Sequence, residues 1–357
     1  MQHKTKVTGV LGLSMVAGLT LACMNVASAQ ESQEVNVLHV VNTTCAMYPV
    51  HVAKELGFFD KLGLKVNMVS SDTSVPFAAF LENGQADLVM LDSSQVLQMA
   101  NAGQKASVVY ELFHRAPEGI AVRAESPLND IADLQGKAVG LGSDRDQILM
   151  DIVLASVGMD RSSAKTVVTG QSVPIIAKAL LDGTIDAFAG GSNVRAKIAA
   201  AGVPLRDIMP FQFSDNPGNN FVIADARKEE LRPIVESYLR GWSMGALAGL
   251  IDTKAVMSMC RKFFPEEWED VEVGQEWMNR VIYQLLLSRS RLIGEVRPWV
   301  WESLQKPYEE LGEISGHIDP ATFLDTSFQE PANEFTTQEV AEAVAKWKLE
   351  NAEILIP

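Results

Sequence analysis

Residues 77–103 can be laid on residues 176–202 without a gap, at a constant offset of 99. Ala78/Ala177, Leu81/Leu180, Gly84/Gly183, Asp87/Asp186, Ser93/Ser192, Ala100/Ala199, Ala102/Ala201 and Gly103/Gly202 are then identical. One gap upstream also brings Ser74-Val75-Pro76 onto Ser172-Val173-Pro174. A chain that repeats itself at this distance is expected to build two similar lobes, and any function has to be found in what the lobes share or enclose.

The repeated unit alternates strands with helices. Strand-like runs at 35–41, 64–69 and 87–91 alternate with helical periods over 48–61, 75–82 and 95–102. The pattern restarts with strands at 137–141, 165–168 and 186–189 and helices at 147–157, 175–181 and 194–201. Such alternation implies parallel pairing through right-handed crossovers, hence an α/β fold with sheets covered on both faces. Gly84 and Gly183 stand where a helix stops in a left-handed cap, and Asp87 and Asp186 open the next strand, so all four read as architectural. Beyond Pro217 a short strand at 221–224 precedes helical segments at 228–250, 253–264, 266–287 and 339–350. Trp242, Met244, Met257, Met259, Trp277 and Met278 read as inter-helix filling rather than a cofactor box.

Residues 1–29 differ from the rest. Lys4 and Lys6 precede an apolar run from Val7 to Ala22, and Ala27-Ser28-Ala29 offers a signal-peptidase site before Gln30. The run is short and interrupted by Gly9, Gly12 and Gly18, so a soluble exported product is expected. Lipid attachment at Cys23 is the alternative, with Thr20 standing where a lipobox wants a branched apolar residue. The leader holds two lysines and no acid, so without it 28 Lys+Arg face 45 Asp+Glu, a formal charge of −17. That acidity, with no dense Lys/Arg stripe, disfavours nucleic acid as a partner. Cys45 and Cys260 remain after processing, and their sequence positions leave open whether they pair. His39, His51, His114 and His317 show no metal-ligand spacing, so no metal site is expected.

Enzyme motifs fail in detail. Gly140-Leu141-Gly142-Ser143-Asp144-Arg145 starts like a dinucleotide fingerprint but has Arg145 at the third glycine's place. Gly190-Gly191-Ser192-Asn193-Val194 has valine where a nucleophile elbow needs glycine, and no P-loop pattern occurs. What stands out instead is a set of polar loops at the ends of successive strands: 42–44, 70–73, 92–94, 142–145 and 190–192. In open parallel sheets that edge binds ligands, and each loop leads into a helix whose first N–H groups are unpaired. Taken singly, these hydroxyls and carboxylates read as N-caps; taken together, they suggest a shared cleft.

The stretch Tyr48-Pro49-Val50-His51-Val52-Ala53-Lys54-Glu55-Leu56-Gly57-Phe58-Phe59 resembles the opening helix of the nitrate/taurine/sulfonate class of ABC-transporter solute-binding proteins, which includes thiamine-pyrimidine precursor binders. Asn83-Gly84-Gln85-Ala86-Asp87, Asp133-Leu134-Gln135-Gly136-Lys137 and Leu181-Asp182-Gly183-Thr184-Ile185-Asp186-Ala187 extend the resemblance over about 35–225. It implies a two-lobed periplasmic binding protein type II fold with a helical C-terminal extension. Lobe I would comprise 35–122 and 219–357, and lobe II 123–218. The pocket implied by the resemblance takes Thr43, Thr44, Tyr48, Asp72, Asp92, Ser93 and Ser94 from one lobe and Ser143, Asp144, Gly191 and Ser192 from the other. Tyr48 either stacks on a flat ligand or packs on its own lobe. Arg145 either pairs with an acidic solute or joins a solvated cluster with Asp144 and Asp146, and His114 is a further candidate beside the hinge.

The function so implied is capture of a small organic solute, a sulfonate, aromatic acid or pyrimidine-like molecule, by a periplasmic monomer that delivers it to an ABC permease. One branch of the family is an enzyme that makes a thiamine pyrimidine from its own histidine and pyridoxal phosphate and carries a cysteine-rich cluster. This chain lacks the cluster, so binding without catalysis and without a cofactor is expected, with the synthase and a solute-sensor domain as alternatives.

Overall fold

The computed structural model describes residues 1–2, 33–39, 44–69, 78–285 and 290–356. The expected leader beyond its first two residues, with Cys23, lies outside the described residues, as do the candidate pocket residues Thr43 and Asp72. Residues 32–357 form one compact unit containing two five-stranded sheets.

The first half runs β1 (Gln33–Leu38), α1 (Tyr48–Glu55), α2 (Phe58–Lys61), β2 (Leu64–Val69), α3 (Ala78–Glu82), β3 (Leu88–Asp92), α4 (Ser93–Asn101) and β4 (Ala106–Glu111). The second runs β5 (Glu118–Arg123), β6 (Ala138–Leu141), α5 (Asp146–Ala155), β7 (Lys165–Val168), α6 (Val173–Leu181), β8 (Ala187–Gly191), α7 (Ser192–Ala200), β9 (Leu205–Asp207) and α8 (Phe211–Ser214). The chain then returns through β10 (Asn219–Ala224). Sheet order is β2-β1-β3-β10-β4 in one half and β7-β6-β8-β5-β9 in the other, the same arrangement twice. Each sheet takes one antiparallel strand, β10 beside β3 and β5 beside β8, directly after a crossing between the halves. The two-lobed type II arrangement follows from this topology. The lobe boundary expected between 122 and 123 falls inside β5, whose pairing with β8 and β9 puts the first crossing in 112–117 instead. The second crossing occupies 208–218.

The offset of 99 survives in the coordinates, since β3 with α4 maps residue for residue onto β8 with α7. Gly84 and Gly183 end their helical segments at φ 65° and 75°, a region open to glycine at little cost. The repeated aspartates do one job twice. Asp87 Oδ2 accepts the Asn36 N–H of β1 at 2.8 Å, and Asp186 Oδ2 accepts the Ala138 N–H of β6 at 2.9 Å. Their own N–H groups donate to the carbonyls of the same two residues. Each aspartate therefore fixes the entry of the third strand against the first.

The C-terminal part is helical: α9 (Lys228–Ile251), α10 (Thr253–Phe263), α11 (Val271–Gln284), α12 (Pro298–Glu310), α13 (Gln329–Ala332) and α14 (Thr337–Glu350). The single helix expected over 266–287 is divided, because the Asp270 carboxylate accepts the Glu272 and Val273 N–H groups and starts a new helix there. The sequence also gave no warning of β4, β5 or α12. The six tryptophan and methionine positions noted above are all buried in one core around α1, α9, α10 and α11. Cys45, in the turn before α1, and Cys260 of α10 form a disulfide with Cα atoms 5.8 Å apart, which settles the pairing that spacing left open.

Helix α9 packs against α1 so closely that a methyl group on Gly245 would stand 2.0 Å from the Pro49 carbonyl oxygen, and one on Gly249 would stand 2.4 Å from the Tyr48 hydroxyl. The obstacle at Gly245 is backbone, which cannot swing aside. Gly245→Ala is expected to cost about 1–3 kcal/mol through displaced helices, read as a lower urea midpoint; an unchanged midpoint would contradict this packing.

Candidate functional site

Helices α4 and α7 start at equivalent places, and both starts are tied to the segments that join the halves. Asp92 caps α4: its Oδ1 accepts the Gln95 N–H at 2.8 Å while Gln95 Oε1 accepts the Asp92 N–H at 3.0 Å. Ser93 is buried and its Oγ donates to the Pro217 carbonyl in the second crossing. Ser192, also buried, donates its N–H to the Pro117 carbonyl in the first crossing at 2.8 Å. Its Oγ accepts from Gln284 Nε2 at 2.9 Å. The two serines that the repeat singled out therefore hold the crossings, and their hydroxyls are already engaged. Ser94 sits in the first turn of α4, and Gly191 precedes α7 as its N-cap.

The facing loop of the second half is built around Asp146. Its Oδ2 accepts both the Ser143 N–H at 2.7 Å and the Ser143 hydroxyl at 3.0 Å, closing 143–146 into a turn at the start of α5. Gly142 lies under this turn, with Asp146 Oδ2 3.2 Å from where a Cβ would be. Asp144 and Arg145 are exposed on it. Arg145 Nη1 reaches across to Asp92 Oδ2 at 3.3 Å, so a charge pair joins the loop after β6 to the loop after β3. The partner Arg145 finds, Asp92 on the opposite half, is neither of the two expected for it.

Between these loops stands Glu118, a residue that motif reading missed. It opens β5 directly opposite Gly191 and feels the charges of both Asp92 and Asp146. Water reaches its side chain, yet protein packed on its other sides raises its carboxyl pKa to about 7, with Asp92 and Asp146 adding to the rise. Exposed between loops of both halves, Glu118 stands at the mouth of the crevice between them. Burial also raises the carboxyls of Asp92 and Asp146, against their hydrogen bonds and Arg145. Tyr308 of α12 is buried within range of Asp92 and Glu118, and burial and those charges push its hydroxyl upward. The crevice thus presents three carboxylates, one guanidinium and the first turns of three helices.

Other expected pocket residues lie elsewhere. Tyr48 is fully buried against α9, its hydroxyl donating to the Ala246 carbonyl at 2.9 Å, so it packs on its own lobe and cannot stack on a ligand. The close approach allowed by Gly245 and Gly249 is what draws it in. Thr44 caps the turn at 45–47 by accepting the Ala46 N–H at 3.3 Å, and its hydroxyl also bonds Glu267. His114 is buried in the first crossing, with Nε2 3.1 Å from the Glu295 carbonyl and 3.9 Å from Glu111 Oε2. It belongs to a buried ionic cluster in which Glu111 takes hydrogen bonds from Arg297 N and Nε, each at 2.8 Å, and from Trp301 Nε1 at 3.0 Å. A surface cavity of about 470 Å³ lined by Trp299, Glu302, Asp319 and Leu324 shares no residue with the crevice.

Among the described residues no cluster of histidine, cysteine or acid is placed to hold a metal ion. Pyridoxal phosphate, the cofactor of the family's enzyme branch, fits the described crevice poorly. Its phosphate would face Asp92, Glu118 and Asp146, and the cations acting on those carboxylates are Arg145 and Arg195 rather than a lysine that could bond the aldehyde.

Two outcomes follow from these contacts. Ser93→Ala removes a buried hydrogen bond to the second crossing and is expected to lower stability by about 0.5–1.5 kcal/mol, measured by denaturant melts. Glu118 has a folded pKa above its unfolded value, so the folded protein holds the extra proton between about pH 4.5 and 7 and loses stability as pH rises through that window. Glu118→Gln should therefore melt higher than the parent at pH 8 and alike at pH 4; equal melting temperatures at pH 8 would contradict the assignment.

The family model described as "NMT1/THI5 like" matches residues 44–248. The 4-amino-5-hydroxymethyl-2-methylpyrimidine phosphate synthase of Uromyces fabae is 26% identical over 165 residues, covering 46% of this chain and 48% of that protein. A putative thiamine biosynthesis protein of Haemophilus influenzae is 29% identical over 141 residues, covering 39% and 44%. The chain thus spans about half the length of the curated relatives it matches. Among solved structures, the periplasmic aliphatic sulphonate binding protein SsuA of Escherichia coli is similar with a TM-score of 0.62 at 15% identity, covering 81% of this chain and 91% of that one. The fold expected from sequence is therefore that of the periplasmic binding proteins. The expectation that the chain is not an enzyme is overturned, because the curated relatives include proteins named as synthases. With more than half its length matched by one model, the chain belongs to the NMT1/THI5-like family.

Proposed function

We propose that this protein captures a small organic solute in the crevice between its lobes and, after export through the leader expected at 1–29, delivers it as a monomer to an ABC-transporter permease. The observation that carries the reading is the convergence of two equivalent helix starts, those of α4 and α7, on a crevice with Glu118 at its mouth. The likeness to periplasmic solute-binding structures supports it. The Cys45–Cys260 disulfide suits an oxidising compartment outside the cytoplasm. Among the described residues no helix is long and apolar enough to cross a membrane.

The charge in the crevice favours one solute class. The two guanidiniums nearest these carboxylates are already paired, Arg145 with Asp92 and Arg195 with Asp207, so a sulfonate or other oxyanion meets Asp146 and a partly protonated Glu118 without an unpaired cation between them. A heterocycle carrying amino groups, such as an aminopyrimidine, instead finds acceptors for its N–H donors. Calorimetric titration with sulfonates, aromatic acids and aminopyrimidines tests this. An aminopyrimidine is expected to bind, and Asp92→Asn to weaken it about tenfold or more, the effect of losing one hydrogen bond to a charged group. Binding of a sulfonate alone, or of nothing in the set, would sink the reading.

A second reading, synthesis of a pyrimidine phosphate, rests on the names of the curated relatives. Incubation with pyridoxal phosphate followed by mass spectrometry of the small-molecule fraction decides it: a phosphorylated pyrimidine would put synthesis in place of capture.

A further inference from the structure

Lobe closure in a hinged protein requires the connecting segments to change their backbone angles freely. Here both crossings are gripped by the C-terminal helices. At the end of α11, the Gln284 carbonyl accepts the N–H groups of His114 at 2.9 Å and Arg115 at 3.3 Å, in the first crossing. The same residue's Nε2 donates to Ser192 Oγ at the start of α7. Arg115 in turn lays its guanidinium 4.7 Å from the Phe211 ring of the second crossing and 4.9 Å from the Tyr283 ring of α11. Arg297, paired to buried Glu111 at the end of β4, donates from Nη2 to the His114 carbonyl at 3.1 Å and stands 3.6 Å from Asp215 in the second crossing.

The helices reach past the hinge as well. Trp277 of α11 lies under Lys197 of α7 at 5.9 Å, and Arg280 stands 3.9 Å from Asp207, which also pairs with Arg195. On the other flank, Trp301, Leu304 and Tyr308 of α12 share an apolar cluster with Ile152 of α5, with Ile148 and Phe213 packed against it. Helices α11 and α12 are thus packed on the second lobe as well as on the crossings.

We infer that helices α11 and α12 form a lock across the hinge, holding the lobes at the angle seen here so that a change in that angle depends on release of the two helices rather than on free rotation of the lobes. The inference rests on the two-lobed fold and holds whether the crevice captures or transforms its ligand. The Arg145–Asp92 pair joins the two halves within the arrangement that the lock maintains.

The test uses the full mature chain with its disulfide intact and spin labels at two exposed positions, Asp60→Cys on α2 and Lys165→Cys on β7. The parent is expected to give one narrow interlobe distance in pulsed dipolar spectra. Tyr283→Ala with Gln284→Ala removes one ring of the Arg115 sandwich and the Ser192 bond, and is expected to add a longer distance. A broad or two-peaked parent spectrum, or a variant spectrum as narrow as the parent's, overturns the lock. Should the double variant fail to fold, hydrogen exchange on the unsubstituted protein decides. The amides of His114 and Arg115 should exchange within about tenfold of those in the middle of β5, whereas exchange more than about a hundredfold faster than β5 would show a hinge that opens freely.

Discussion

The relation between the two halves of this molecule depends on how the crossings that join them are held. Ser93 Oγ bonds the Pro217 carbonyl, and the Ser192 N–H bonds the Pro117 carbonyl, so each third-strand helix begins against a segment that leads into the other half. Proline carbonyls suit this role, because a proline lacks an N–H of its own and fixes its φ, leaving a rigid acceptor. With both helix starts pinned to the crossings, α4 and α7 aim at one crevice, and β5 enters beside β8 with Glu118 at its mouth. Loss of either contact would loosen the crevice and the hinge together.

That geometry creates an electrostatic tension. Helix starts favour negative charge, and the folded chain supplies it from its own side chains: Asp92 caps α4, and Asp146 closes the first turn of α5. Glu118 then has two anions for neighbours and keeps its proton to near neutral pH. A receptor for oxyanions leaves its helix starts open to the ligand. Here carboxylates occupy two of them, which turns the same fold toward ligands that donate hydrogen bonds.

Much of the fold was legible in the sequence because its signals are local and repeated. The offset of 99 placed β3 and α4 on β8 and α7, and Asp87 with Asp186 read correctly as architecture, since a capping glycine and a strand-opening aspartate leave a short-range pattern. The loops after β3 and β6 were legible for the same reason. Glu118 was not: a single acid after Pro117 carries no periodicity, and only the antiparallel pairing with β8 brings it beside Asp92 and Asp146. Tyr48 failed in the opposite direction. Its place at a helix start suggested a ligand contact, while the glycines that draw it into the core lie almost two hundred residues away on α9. The strands at 106–111 and 118–123 were missed because short apolar runs of that length carry no periodicity that separates strand from buried helix.

The C-terminal helices bear on how one fold serves two chemistries. Capture and release of a cargo need lobes that separate, whereas a reaction at a fixed crevice gains from lobes that stay put. The residues matched by the family model end at 248, inside α9, and the groups that grip the crossings, Tyr283, Gln284 and Arg297, all come after it. The shared part of the chain therefore supplies Asp92, Glu118, Asp146 and both helix starts, and the part beyond it supplies the groups that grip the crossings. Because Tyr308 also lies beside Asp92 and Glu118, the same region that restrains the hinge contributes a wall to the site.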